Sequence, residues 1–110
     1  MGAPLFDTTV LIERIRAGAT GLSGSTTVLN LIEFPKAAHL KGLDIISPGK
    51  DDYDKGFELS VLLLKAGTPI PAVDVVLAAV AMNRGLVLHT RDRHFDYVSR
   101  VNKDFQVHIE

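Results

Sequence analysis

Four acidic residues, Asp7, Glu33, Asp74 and Asp92, carry the chemistry that this sequence could perform. Carboxylates packed within a few ångströms of one another raise each other's pKa or require a cation. Hard oxygen ligands drawn from several elements suit Mg2+ or Mn2+, which take a few carboxylates and keep water for a substrate phosphate. Such ions lower the pKa of a bound water, aim it at phosphorus and stabilise the leaving oxygen. The reaction class is metal-assisted phosphodiester hydrolysis. It requires the four side chains to reach one place.

The stretch Ile70–Phe95 supplies two of them. Pro71 suits a first helical turn, Val75, Leu77, Ala78, Ala81 and Met82 form a broad apolar surface, and Gly85 ends the helix. Leu86-Val87-Leu88 then reads as an inner parallel strand. Asp74 falls near the helix start and Asp92 just past the strand, so one helix–strand unit can join two carboxylates. An acid beside so apolar a helix start is costly unless a cation or a hydrogen bond answers it.

Other elements must bring the remaining acids. Leu5-Phe6 ends a short first strand at Asp7, with Thr8 and Thr9 able to cap a helix that stops at Gly18. A second strand is expected near Gly24–Thr26. A second helix over Thr26–Leu40 carries Glu33 and is kinked by Pro35. Leu43–Ser47 is a third strand, and Asp51–Ala66 a third helix whose Asp51 and Asp52 complement its dipole. After the Ile70–Phe95 unit, Phe95–Val101 forms a last short helix and Phe105–Ile109 an edge strand. The alternation of strands and helices implies a parallel sheet covered on both faces, with ligands bound beyond the carboxyl ends of the strands.

Bulk properties narrow the class. The 110 residues suit one domain, residues 1–110, and the absence of cysteine excludes disulfides and thiolate metal sites. Twelve basic and thirteen acidic residues leave a net charge of −1, without the basic excess of a high-affinity DNA-binding domain. No apolar run is long enough to span a bilayer, and MGAPLFD lacks the regions of a signal peptide. A cytoplasmic protein with no membrane partner is expected.

Beside these residues the sequence resembles a known family. FDTTVLIE is similar to the opening motif of the PIN-domain ribonucleases, which include the VapC-type toxins of toxin–antitoxin pairs. TVLNLIEF resembles that family's second, glutamate-bearing motif. PAVDVVLAAVAMNRGLVLHTRDRHF is similar to its third and fourth, an acid opening a helix and then a strand ending in Thr-x-Asp-x-x-Phe. The order and rough distances match along nearly the whole chain. The resemblance implies a PIN-like (Rossmann-like) α/β three-layer sandwich, a central mainly parallel sheet flanked by helices. It implies Asp7, Glu33, Asp74 and Asp92 as catalytic metal ligands for Mg2+ or Mn2+. Thr8 or Thr9 and Thr90 would be hydroxyls that orient carboxylates or the attacking water, and Asp96 is an alternate to Asp92. The implied activity is endoribonucleolytic cleavage of RNA that leaves a 5′-phosphate and a 3′-hydroxyl. A small VapB-like antitoxin and a homodimer are the implied protein partners.

Plainer readings stand beside these. Asp7 could simply cap its helix, Glu33 could be a solvated helix residue, Asp74 could answer a helix dipole, and Asp92 could be a turn residue paired with Arg91 or Arg93. Arg84, Arg91 and Arg93 could touch RNA phosphates or only solvate the surface. His89 and His94 lack the partner spacing of a zinc site, which favours core packing or exposure. Two rival functions remain open, a non-catalytic protein- or RNA-binding module of the same fold and a stand-alone RNA-processing nuclease. About ten residues separate the Glu33 motif from the third strand, where many VapC-type toxins carry an extra helical pair.

Overall fold

The computed structural model describes residues 2–110. Five strands, β1 (Pro4–Phe6), β2 (Gly21–Thr27), β3 (Lys41–Ile46), β4 (Val87–Thr90) and β5 (Val107–Ile109), form one sheet in the order β3-β2-β1-β4-β5. Every neighbouring pair is parallel. Helices α1 (Thr8–Arg16) and α2 (Val28–Glu33) lie on one face, and α3 (Lys50–Lys65), α4 (Ala72–Arg84) and α5 (Asp96–Val101) on the other. The α/β sandwich expected from the alternating pattern is the one observed.

Strand periodicity divides the core between the two layers. In β1, Leu5 packs with Leu59 and Leu63 of α3, Leu77 and Val80 of α4, and Leu88 of β4. The next residue, Phe6, points the other way, toward Val10 and Leu11 of α1. Successive side chains on a strand face opposite sides, so three residues of β1 serve both layers. α4 is buried on most of its surface, as its run of small and branched residues requires, and Gly85 closes it with φ +64°. α3 meets α4 along Asp52, Gly56, Leu59 and Leu63. Its opposite side is less covered.

Three elements differ from the sequence expectation. The strand expected near Gly24–Thr26 extends over Gly21–Thr27 despite its glycines. Gly24 explains why. A Cβ there would lie 2.6 Å from Phe6 Cε2 and 2.9 Å from the Pro4 carbonyl oxygen, at φ +149°. Glycine therefore lets β2 lie against β1, at the point where the β2–β3 register shifts.

The helix expected over Thr26–Leu40 is instead two pieces. α2 starts after Thr27 and stops at Glu33, because Phe34 leaves the helical region at φ −144° and ψ 79°. Proline disfavours the α conformation in the residue before it, so Pro35 terminates α2 rather than kinking it, and opens a separate 3₁₀ segment over Pro35–His39. Glu33 consequently occupies a helix end instead of a helix middle. The last strand is also shorter than Phe105–Ile109, with Phe105 buried in the core before β5 begins.

Candidate functional site

The strand order reverses between β1 and β4, where the chain leaves one strand toward either side of the sheet. Such a switch point opens a crevice beyond the carboxyl ends of the strands. Asp7 follows β1 directly and Thr90 ends β4, so both stand at its floor. Asp7 is 4% exposed. Its Oδ1 accepts the Thr8 N–H at 2.8 Å, which caps α1. Its Oδ2 accepts the hydroxyls of Thr9 at 2.9 Å and Thr90 at 2.7 Å. The helix-cap role that Asp7 might have had alone is therefore real, but it occupies only one oxygen.

The two hydroxyls are themselves held. The Arg91 N–H donates to Thr9 Oγ1 and the Asp92 N–H to Thr90 Oγ1, each at 3.0 Å. Each threonine thus relays a backbone dipole of the loop after β4 onto one carboxylate oxygen. That arrangement fixes the loop, and with it Asp92, relative to Asp7.

Glu33 approaches from the α2 side. Thr8 Oγ1 donates to Glu33 Oε1 at 3.0 Å and accepts the Asn30 side-chain amide at 2.9 Å. Asn30 is fully buried and closes a reciprocal cap with Thr27, whose hydroxyl donates to Asn30 Oδ1 at 2.7 Å. Sequence reading did not single out Asn30. The Thr27-x-x-Asn30 spacing at the start of an apolar run was the available signal.

Asp74 enters from the other wall, in the first turn of α4, with its side chain 19% exposed. Burial pushes its carboxyl up to about 6, and the negative charges of Asp7 and Asp92 push the same way. The opposing influence is His94, whose Nε2 lies 2.8 Å from Asp74 Oδ2 and whose Nδ1 lies 3.0 Å from Asp92 Oδ1. The imidazole therefore bridges the two acids, which corrects the reading of His94 as a packing or exposed residue. Its ring is set by the 3₁₀ turn Arg93–Phe95, where Asp92 Oδ1 also accepts the His94 N–H at 3.1 Å. No residue spacing announces this contact, because Asp74 and His94 are brought together only by α4 packing on β4.

Asp74 and Asp92 thus meet at His94, the charges of Asp7 and Asp92 bear on Asp74, and Glu33 is hydrogen-bonded to Thr8. Asp96 opens α5, and among the described residues no hydrogen bond or ion pair engages its side chain. The acids that raise Asp74 are Asp7 and Asp92. A shallow groove of about 430 Å³ adjoins Thr9 and is lined by Ile12, Glu13, Arg16 and Arg91. Arg91 pairs with Glu13 at 2.8 Å, and Arg84 is committed elsewhere, forked onto buried Asp52 at 2.6 and 3.0 Å.

Carboxylate oxygens are the donors that a divalent cation of the oxygen-seeking kind takes. The site offers a half-buried carboxylate of raised pKa and two further carboxylates whose charges act on it. Among the described residues no helix is long and apolar enough to cross a membrane.

No protein-family model matches this sequence, and no curated protein matches it. Solved structures do. A chain of VapBC-5, a member of the VapBC family of toxin–antitoxin systems from Mycobacterium tuberculosis, superposes with a TM-score of 0.78 at 20% identity over 100% of both chains. VapBC2 from Rickettsia felis, bound to a DNA fragment from their promoter, gives 0.76 at 16% identity, covering 96% of this chain and 97% of that one. FitAcB from Neisseria gonorrhoeae gives 0.67 at 19% identity over 94% and 95%. Nearly complete coverage in both directions leaves no large element of either partner unmatched. The chain is a PIN-like α/β domain with the fold found in VapBC toxin–antitoxin complexes.

Proposed function

We propose that this protein is a Mg2+- or Mn2+-dependent endoribonuclease and the toxin of a type II, VapBC-like toxin–antitoxin pair. The observation that carries the proposal is the convergence of Asp74 and Asp92 on His94 at 2.8 and 3.0 Å, where burial and the charges of Asp7 and Asp92 push the Asp74 carboxyl up to about 6. Acids that raise one another's pKa store a cost that His94 offsets in part and that a bound cation would offset further.

In this reading Asp7, Glu33, Asp74 and Asp92 hold the metal and are the catalytic acids. The bound ion would supply charge neutralisation at the phosphodiester and a water of lowered pKa. The remaining work falls to the chain itself. Thr9 and Thr90 fix the free face of Asp7 through Oδ2, and Thr8 keeps Glu33 at the rim. His94 bridges Asp74 and Asp92 and so sets their spacing. Arg16 and Arg91 line the groove beside Thr9 and in this reading would meet backbone phosphates of an RNA strand, Arg91 on leaving its pair with Glu13.

The toxin assignment rests on the solved neighbours, which are toxin–antitoxin complexes matched along their whole length. Their full coverage weakens the objection raised by the short segment between α2 and β3. α3 adds a surface for a protein partner, an antitoxin or a second copy. Tyr53, Phe57, Val61 and Leu64 recur at helical spacing opposite its buried stripe, with Phe57 73% and Leu64 70% exposed. A stand-alone RNA-processing nuclease would share the chemistry but lack the partner.

A Mn2+-dependent RNA cleavage assay tests the reading. Wild type should cleave and Asp74→Asn should not, with Asp7→Asn as a second inactive control and circular dichroism showing retained folding. Cleavage undiminished in Asp74→Asn would remove that residue from the site. A folded wild type that never cleaves RNA with either metal would favour the non-catalytic module. A neighbouring open reading frame for a short DNA-binding protein separates toxin from stand-alone nuclease.

A further inference from the structure

A second group of ligating side chains lies away from the acidic crevice, on the α1 side of the sheet at its β4–β5 edge. His89 and His108 are register partners on adjacent parallel strands, so their side chains emerge together, with ring centroids 5.0 Å apart. Glu110 follows His108 by two residues and therefore returns to the same face. Its N–H continues the ladder to the Thr90 carbonyl at 2.8 Å, which fixes that register. One ligand atom from each of His89, His108 and Glu110 falls within 4.8 Å of the others.

The geometry points to a zinc site formed by His89, His108 and Glu110, clasping the edge strand β5 to β4. Two imidazoles and one carboxylate are a donor set for Zn2+ and its late first-row neighbours, not for Mg2+. In a four-coordinate centre with bonds of about 2.0–2.1 Å, ligand atoms stand about 3.3 Å apart. His89 Nδ1 and Glu110 Oε2 stand 4.0 Å apart, so the three donors need draw in by at most roughly 1.5 Å. His108 is exposed, Glu110 is held by Arg14, and His89 is held against Phe6, with ring centroids 5.6 Å apart. His89 is preset, His108 can close on it, and Glu110 must first loosen from Arg14.

Arg14, in the last turn of α1, is the competitor. Its guanidinium forks onto the Glu110 carboxylate at 2.9 and 2.7 Å. That pairing keeps Glu110 ionised, its carboxyl below the ordinary range chiefly through the Arg14 hydrogen bond. It also places a positive charge where the metal would sit. Zn2+ must share Glu110 with Arg14 or displace it, so the arginine sets the affinity of the site. The zinc site is independent of the acidic crevice and of the nuclease reading.

Untagged Asp74→Asn protein isolates the new site, since it weakens the carboxylate crevice that would otherwise compete for metal. Zn2+ is titrated against a chromophoric chelator, and Co2+ is used to record the visible absorption of a tetrahedral centre. We expect one Zn2+ per chain, a rise in melting temperature on its addition, and binding about tenfold or more weaker when His108→Ala is added. Arg14→Gln added to the same background should tighten binding several-fold. His108 is exposed, so its replacement leaves the fold intact. Absence of saturable Zn2+ binding overturns the proposal, as does equal affinity with and without His108. Loss of RNA cleavage in wild type would bear on the acidic crevice alone and leave this result standing.

Discussion

Thr90 Oγ1 donates to Asp7 Oδ2 at 2.7 Å, joining residues 83 positions apart at the ends of adjacent strands. The same hydroxyl accepts the Asp92 N–H at 3.0 Å, so one atom connects two of the four acids. Thr90 is fully buried, and neither group it serves has water to fall back on.

Thr90→Val keeps the shape of the side chain and removes both hydrogen bonds. Stability should fall by about 1–3 kcal/mol, the cost of unpaired buried polar groups. Mn2+ affinity should fall by about 10- to 100-fold, as when the outer partner of a ligating group is lost. Thr90→Ser, which retains the hydroxyl, should restore most of both. Calorimetric Mn2+ titration and denaturant melts check the pair. A Val variant that binds Mn2+ like wild type would show that Asp7 needs no such support.

Asp74 makes the metal-free protein sensitive to pH in a defined direction. Its carboxyl lies at about 6 in the folded chain against an ordinary value of 3.8. Between those values the native state keeps a proton that the unfolded chain has released. The stability linked to protonated Asp74 is therefore complete below the lower value and is lost as pH rises through the upper one. Asp74→Asn imitates the protonated form. It should melt close to wild type near pH 4, yet exceed metal-free wild type above about pH 7 by on the order of 2 kcal/mol. Thermal melts in a chelator at the two pH values decide this. A destabilised Asn variant at the higher pH would mean that the acids are not under mutual strain.

Asp52 and Arg84 tie the start of α3 to the end of α4. Burial alone would push the Asp52 carboxyl up. The Arg84 fork, the Gly49 N–H and the Asn83 amide outweigh it, and the pKa falls below its ordinary 3.8. Arg84→Met should destabilise by about 2–3 kcal/mol, toward the low side for a buried pair because the Arg84 side chain is 35% exposed. Stability drawn from this pair is present above the ordinary carboxyl pKa and is lost as pH falls through the lower folded value. The gap between variant and wild type should accordingly narrow in strong acid. Denaturant titrations at neutral and acidic pH measure it, and RNA cleavage should be unaffected.

The sequence alone determined the alternation of strands and helices, the apolar face of α4 and its glycine stop. It also put each of Asp7, Asp74 and Asp92 at an element boundary. These are local properties, fixed by the period of apolar residues and by caps and turns within a few positions. It also placed Glu33 on the right helix, but misjudged how that helix ends, because the effect of Pro35 on Phe34 is a conformational preference and not a broken hydrogen bond. Only the tertiary structure decided the strand order, and with it which residues meet. His94 lies twenty residues from Asp74 and touches it because α4 packs back onto β4. His89, His108 and Glu110 converge because two strands adopt one register out of several. Long-range pairing is a choice among alternative burials of the same apolar surface, and no short window of sequence contains the energy that settles it.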